Sequence, residues 1–285
     1  MDRVSRYVRQ TKKRLGIPVE HAYGEFSITL PADHMLPVYQ KQHRRYDRFL
    51  PRLAKYIDHG ATIIDVGANC GDSLAAMVEQ NAKSTYVCIE PDAVFFEYLA
   101  LNIRRIKAAV PGVDVRAIKS LVGKNITLVA LEGVGGTKHA VAGQGNHQAE
   151  TLDEIVRALI GTSRVSLIKS DVDGFDYDVI DSAEELIASN GPMIFFECYV
   201  TSLQQKEGFE STLNWLQSIG YKDWTAFDNF GEVILRTADA ADILQLIDYV
   251  WKQSSGGASR TIYYLDFLAG MGSDRQLIDA AVRSY

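Results

Sequence analysis

From Ala61 onward, short apolar runs alternate with longer segments whose apolar residues recur at helical spacing, and this alternation predicts a parallel sheet with crossover helices. The runs "ATIIDV", "STYVCIE", "VDVRAI", "VSLIKS" and "PMIFFEC" have the length and the β-branched or aromatic content of buried strands. Between them, "DSLAAMVEQN" and "AVFFEYLALNIRRI" carry the helical period, and "TLDEIVRALI" opens with Thr151 and Glu154 in capping-box positions. "YKDWTAFDNFGEVILRT" reads as two strands turning around Asn229 to Gly231, an antiparallel hairpin for the sheet edge. The C-terminal "TIYYLDFL" reads most simply as a last strand followed by a helix of the same chain. Its alternative, pairing with the sheet edge of another copy, leaves an oligomer open.

The first 60 residues follow a different pattern: a strand-like "YGEFSITL", a proline-flanked "PADHMLP" and an amphipathic "YDRFLPRLAKYI". The expected organisation is an N-terminal extension over 1–60 packing on a core domain over 61–238, with 239–285 a C-terminal helical and strand extension of that domain. "EGVGGTKHAVAGQGNHQ" is rich in glycine and polar residues and reads as a loop. No internal repeat or low-complexity linker interrupts the pattern.

Composition narrows the function classes. An apolar fraction of 47% suits a buried core, and a net charge of -6 offers no field to attract a phosphate backbone, which speaks against nucleic acid as a partner. Cys70, Cys88 and Cys198 are odd in number and far apart, so they read as buried thiols rather than a disulfide framework or a zinc site. The start is basic (Arg3, Arg6, Arg9, Lys12, Lys13, Arg14), with Val4, Tyr7 and Val8 at roughly helical spacing. It reads as a solvated terminal helix, with weak membrane-surface contact as the alternative. No apolar signal core or membrane span follows, so the expected location is cytoplasmic.

The chemistry concentrates at the strand ends. "TIIDVGANCGDS" is an apolar strand ending near Asp65, with Gly67 and Gly71 bracketing a tight turn into a helix. A Cβ in such a turn would block both positive backbone angles and the close approach of a ligand. About 25 residues on, the next strand ends in Glu90, where a nucleoside-binding sheet places an acid for ribose hydroxyls. Capping of the helix that follows, through "EPDA", is the purely structural role for the same carboxylate. Gly67 and Gly71 do not fit G-x-G-x-x-G, and Asn69 and Cys70 stand where a pyrophosphate needs bare helix N-terminal backbone. S-adenosylmethionine carries no phosphate, so a looser turn suffices for it.

A third strand end, "SLIKSDVDGFDYDVI", runs through Lys169 into Asp171 and Asp173 and then a glycine before a helix. With "TLDEIV" upstream and "PMIFFE" downstream, the chain resembles the FkbM family of class I S-adenosylmethionine-dependent methyltransferases. The resemblance runs from about Tyr23 to Tyr221 through "DVGANCG", "IEPD", "TLD", "IKSDVDGF" and Glu197, in that order. It departs at Asp173, where the family usually has glutamate, and at Ser182 and Ala183, where it usually has a glycine-alanine pair. The resemblance implies a Rossmann-like α/β fold: a seven-stranded, mostly parallel sheet with helices on both faces and the cofactor across the carboxyl ends of its first strands. It also implies methyl transfer, usually to oxygen. In that arrangement Asp65, Gly67, Asn69 and Gly71 would line the methionine and ribose, Glu90 would hold the ribose diol, and Ile118, Ser120 and Leu121 would border the adenine.

The sulfonium already activates the methyl group, so the protein must align an acceptor hydroxyl and help remove its proton. Asp171 leads for that role, with Lys169, Asp173 and Glu197 as neighbours that tune it. His139 and His147, in the glycine-rich loop, could act as base if the loop closes; solvated loop histidines are the simpler reading. Asp171, Asp173 and Glu197 suit a divalent cation or, more simply, strand-end hydrogen bonds, and no metal is predicted. The expected acceptor is a sugar, a glycan or another hydroxylated small molecule, on which Tyr39, Tyr46, Tyr199 and Trp224 could stack unless they are core. Two other classes share the sheet: a nucleotide-dependent oxidoreductase and a non-catalytic S-adenosylmethionine-binding protein.

Overall fold

The computed structural model of the protein describes residues 14–125, 129–132, 139–142, 148–161, 163–255 and 261–285. The chain opens with an antiparallel hairpin, β1 (Val19–Tyr23) and β2 (Phe26–Leu30), followed by helices α1 (Leu36–Gln42) and α2 (Phe49–Ala54). The strand-like "YGEFSITL" is therefore a turn and the second arm of a hairpin. Its first arm, "VEHAY", is masked in the pattern by Glu20 and His21. Helix α1 begins inside the proline-flanked segment, which its first turn tolerates because Pro37 lacks only a donor that the helix start leaves unused.

Alternation then sets in as expected: β3 (Thr62–Val66), α3 (Asp72–Gln80), β4 (Thr85–Ile89), α4 (Ala93–Ala109) and β5 (Asp114–Ile118). Four short strands follow, β6 (Leu121–Val122), β7 (Val129–Glu132), β8 (His139–Ala142) and β9 (Ala149–Glu150); β6 pairs with β9 and β7 with β8. The glycine-rich stretch is thus not loop throughout: the run beginning at Val129 supplies a ladder partner for His139–Ala142. The remaining elements are α5 (Leu152–Ile160), β10 (Val165–Ser170), α6 (Asp176–Asp181), α7 (Glu184–Asn190), β11 (Met193–Cys198), α8 (Leu203–Ser218), β12 (Tyr221–Asp228), β13 (Val233–Thr237), α9 (Ala240–Ser255), β14 (Leu265–Met271) and α10 (Arg275–Ser284).

The main sheet has eight strands in the order β13-β12-β14-β11-β10-β3-β4-β5, one more than expected. The hairpin is present, with β13 at the edge, but β14 slots between β11 and β12 and runs antiparallel to both. Leu265, Phe267, Leu268 and Ala269 are all buried, so β14 is apolar on both faces and would expose one of them at an edge. That places the C-terminal strand inside the monomer's own sheet.

Both faces of the sheet are covered. Successive residues of one strand serve opposite cores: Ile64 and Ile168 pack with α5, α6 and α8, whereas Ile63 and Leu167 pack with α2, α3 and α4. The second core also takes in Ile28, Leu30, Leu36, Phe49 and Leu53, which seats the N-terminal segments on the sheet. A buried amide strengthens that seat. Asn102 of α4 accepts from the Thr29 N–H at 2.8 Å and donates to the carbonyls of Thr29 (2.9 Å) and Cys70 (2.7 Å). No described helix is long and apolar enough to cross a membrane.

Candidate active site

The strand order reverses between β3 and β10, the position at which a doubly wound sheet opens a crevice at the carboxyl ends of its strands. Gly67, just after β3, has φ +73, and a Cβ on it would stand 2.0 Å from the backbone oxygen of Asp171. Glycine is needed because two loops touch through their backbones, a closer constraint than approach of a ligand. The Gly67 and Ala68 N–H groups both donate to the Ile89 carbonyl at 3.0 Å, tying the turn to the end of β4. Gly71 packs on Leu99 beneath the turn.

Glu90 follows β4 and is only 5% exposed. Its carboxylate accepts from the backbone N–H of Asn69 and of Asp92, each at 2.8 Å. Capping of α4 belongs to Asp92, which accepts from the N–H groups of Val94 (2.9 Å) and Phe95 (3.0 Å). A carboxylate offers about four lone-pair sites, so Glu90 retains about two for a ligand. Burial pushes its carboxyl up to about 7.

Lys169, on β10, is buried and lies 2.9 Å from an Asp65 carboxylate oxygen and 3.7 Å from that of Asp171. It also donates to the Gly67 carbonyl at 2.9 Å. Burial works against its charge, but Asp65 and Asp171 outweigh it and hold the ammonium well above its ordinary value. Asp65 and Lys169 therefore brace the two strand ends against each other.

The loop after β10 is shaped by a residue that the sequence pattern does not single out. Buried Asp176 accepts from the Ser170 hydroxyl (2.6 Å) and from the N–H groups of Val172 (3.3 Å) and Gly174 (3.2 Å). Burial pushes its carboxyl up to about 7. Gly174 has φ +93, and a Cβ there would meet the Tyr199 carbonyl at 2.4 Å. Held this way, the loop presents Asp171 with its side chain 54% exposed. The hydroxyl of Ser182 donates to the Val179 carbonyl (2.7 Å) and accepts from the Leu152 N–H (3.1 Å), joining α6 to the start of α5.

These strand ends line a cavity of about 630 Å3, a size suited to small ligands. Of the residues singled out from sequence, Gly67, Asn69, Glu90, Leu121, Lys169, Asp171, Asp173 and Glu197 line it. Asp65, Gly71, Ile118 and Ser120 are not among its lining residues. The Ile118 carbonyl accepts from the Glu90 N–H at 3.2 Å, and the Ser120 hydroxyl donates to Glu150. Tyr39, Tyr46 and Tyr199 face the cavity, whereas Trp224 is fully buried in the core between the sheet and its helices. The side chain of His139 and all of His147 lie outside the described residues.

The roof comes from parts of the chain that no strand-end rule points to. Tyr46 and Asp47 arrive from the N-terminal segment, Asn229 from the β12–β13 turn, and Tyr264 and Asp266 from the residue before β14 and the start of that strand. Asp266 stands directly opposite Glu197 in the β11–β14 ladder. Burial, with Asp171 and other neighbouring carboxylates, holds both groups well above the ordinary carboxylate range. Among the described residues, His34, Cys70 and Asp72 also bring their potential ligand atoms within 4.8 Å of one another.

Among solved structures, the protein is similar to the precorrin-6y C5,15-methyltransferase of Geobacter metallireducens GS-15 (9% identity, TM-score 0.39, covering 77% of this chain and 84% of that one). It is also similar to methyltransferase FkbM from Methylobacillus flagellatus KT (14%, 0.40, 82% and 58%) and to the plantazolicin methyltransferase BpumL in complex with SAH (13%, 0.41, 83% and 89%). No curated protein matches the sequence. The sequence profile of the methyltransferase FkbM domain matches residues 65–222, more than half of the chain. The turn after β3, Glu90, Lys169 and Asp171 all lie within that match, and the chain belongs to the FkbM methyltransferase family.

Proposed function

We propose that this methyltransferase uses S-adenosylmethionine and delivers the methyl group to a hydroxyl oxygen of a sugar, a glycan or another small natural product. The observation that carries the reading is Glu90: a buried carboxylate at the end of β4, oriented by two backbone N–H groups, with lone pairs left for a ribose diol. Gly67 and Asn69 of the turn beside it line the same cavity. A bound sulfonium supplies a methyl group already primed for transfer. The chain's own residues then have to hold, align and deprotonate: Glu90 and the turn hold the cofactor, and Asp171 takes the proton of the acceptor hydroxyl as its oxygen gains the methyl group. Lys169 and Asp65 act as positioning residues that keep the turn and Asp171 in place. Asp173 and Glu197 shape the acceptor end.

In this reading 61–238 is the catalytic domain, and 1–60 and 239–285 are extensions that wall the acceptor end. A net charge of -6 favours a small acceptor over nucleic acid, and the enzyme works in the cytoplasm. Glu90→Ala is expected to weaken cofactor binding by about 1.5–3 kcal/mol, the worth of hydrogen bonds to a charged group. Asp171→Ala is expected to lower turnover about a hundredfold or more with cofactor affinity kept. Titration calorimetry with S-adenosylmethionine, S-adenosylhomocysteine and NAD(P), followed by methyl-transfer assays, checks both. A preference for NAD(P) would replace this reading with an oxidoreductase.

A further inference from the structure

Acidic side chains outnumber basic ones around the cavity. Among the described residues, nine carboxylates line the cavity against two permanent cations, Lys169 and Arg45. Both cations are committed elsewhere. Lys169 is held by Asp65 and the Gly67 carbonyl, and Arg45 pairs with Glu232 at 2.7 Å while lying 5.1 Å from the centre of the Tyr285 ring. Glu90 and Asp92 are spoken for by backbone N–H groups at the cofactor end. Glu197 and Asp266 are not: burial and neighbouring carboxylates favour their protonated forms, and an ammonium ion between them would restore the ionised ones. They face each other across the β11–β14 ladder, where directly opposed side chains start about 4.5–5.5 Å apart at Cβ. No lysine, arginine or histidine among the described residues forms an ion pair with either one.

A second feature is independent of the acids. Asn229 is 2% exposed and lines the same cavity, and its side-chain Nδ2 has no hydrogen-bond partner among the described residues. Its Oδ1 accepts from the Tyr263 N–H at 3.4 Å, which orients the amide with the donor unused. A buried donor without a partner is rare in proteins, and here an oxygen of a bound molecule would complete it. Tyr46 and Tyr264 line the same cavity, and aromatic rings attract cations.

We propose that the methyl acceptor is a cation: a small hydroxylated molecule carrying a protonated amine, its ammonium group seated between Glu197 and Asp266 and one of its oxygens accepting from Asn229. This rests on the reading of the cavity as a methyl-transfer site. The protonated amine has no lone pair, so it anchors the molecule while a hydroxyl receives the methyl group. Phosphorylated and carboxylated acceptors are disfavoured, because nothing at this end is free to balance their charge.

The test uses the full chain saturated with S-adenosylhomocysteine and matched pairs of probes: glucosamine with glucose and N-acetylglucosamine, and serinol with glycerol, plus glucose 6-phosphate as an anion. The expected result by calorimetry is that each amine binds at least about tenfold more tightly than its neutral partner, with no binding of the phosphate. Glu197→Gln and Asp266→Asn should each remove that preference while leaving S-adenosylhomocysteine affinity unchanged. Asn229→Leu should weaken amine and neutral probes alike. Equal or weaker binding of the amines would overturn the proposal, as would stabilisation by Mg2+ with no response to any amine. Failure of S-adenosylhomocysteine itself to bind would instead remove the reading beneath it.

Discussion

Position 90 shows how a single side chain can be read and misread. Its place at the end of a strand is visible in the sequence, but its two backbone donors and the transfer of the capping role to Asp92 depend on the turn after β3 folding over it. Burial raises its carboxyl from 4.5 to about 7. In the folded chain Glu90 keeps its proton until about pH 7, whereas the unfolded chain releases it near its ordinary value. Its contribution to stability is therefore full below that ordinary value and is lost as pH rises through the folded one. The ligand follows the opposite sign, because only the ionised carboxylate offers all its lone pairs to a diol. S-adenosylhomocysteine affinity should rise toward about pH 7 and level off above it, by up to about tenfold per pH unit on the rising limb. Calorimetry over that range should show the rise in the native protein and a flat profile in Glu90→Gln; a flat native profile would sink the assignment.

Elements whose ends are signalled locally are the ones the sequence reveals. Helix α5 begins with the reciprocal pair expected of it: the Glu154 N–H donates to the Thr151 hydroxyl at 3.3 Å, and the Thr151 N–H donates to the Glu154 carboxylate at 3.2 Å. Thr151→Ala should cost about 1 kcal/mol, seen as a lower urea midpoint at unchanged slope. The contribution of Ser182 to the same helix start is invisible in one dimension, since it lies 30 residues away in sequence. Hairpin arm β1 and strand β8 were hidden for a related reason. Each is short and carries polar or small residues, so its partner rather than its own pattern makes it a strand.

At the scale of the whole molecule, the C-terminal strand decides the architecture. Because β14 lies between β11 and β12, removing residues 265–285 would strip both neighbours of their ladder and take Phe267 and Leu268 from opposite cores. Such a truncation should lose cooperative thermal unfolding and aggregate, as calorimetry and size-exclusion chromatography can show. A truncated chain that still unfolded cooperatively would mean that β14 only decorates the sheet. The same strand brings Asp266 opposite Glu197, so the architecture and the acceptor end share one cause.

What the sequence determined by itself was the parallel half of the sheet, its crossover helices and the acids and glycines at the ends of β3, β4, β10 and β11. Apolar period and glycine placement act over a few residues, so they survive in one dimension. Tertiary structure alone decided which residues share the cavity. Gly67 meets the Asp171 backbone, Asp65 leaves the lining to pair with Lys169, and Tyr46, Asn229 and Asp266 arrive from three distant segments. Those meetings follow from strand order and from burial on both faces of the sheet, which no local pattern encodes.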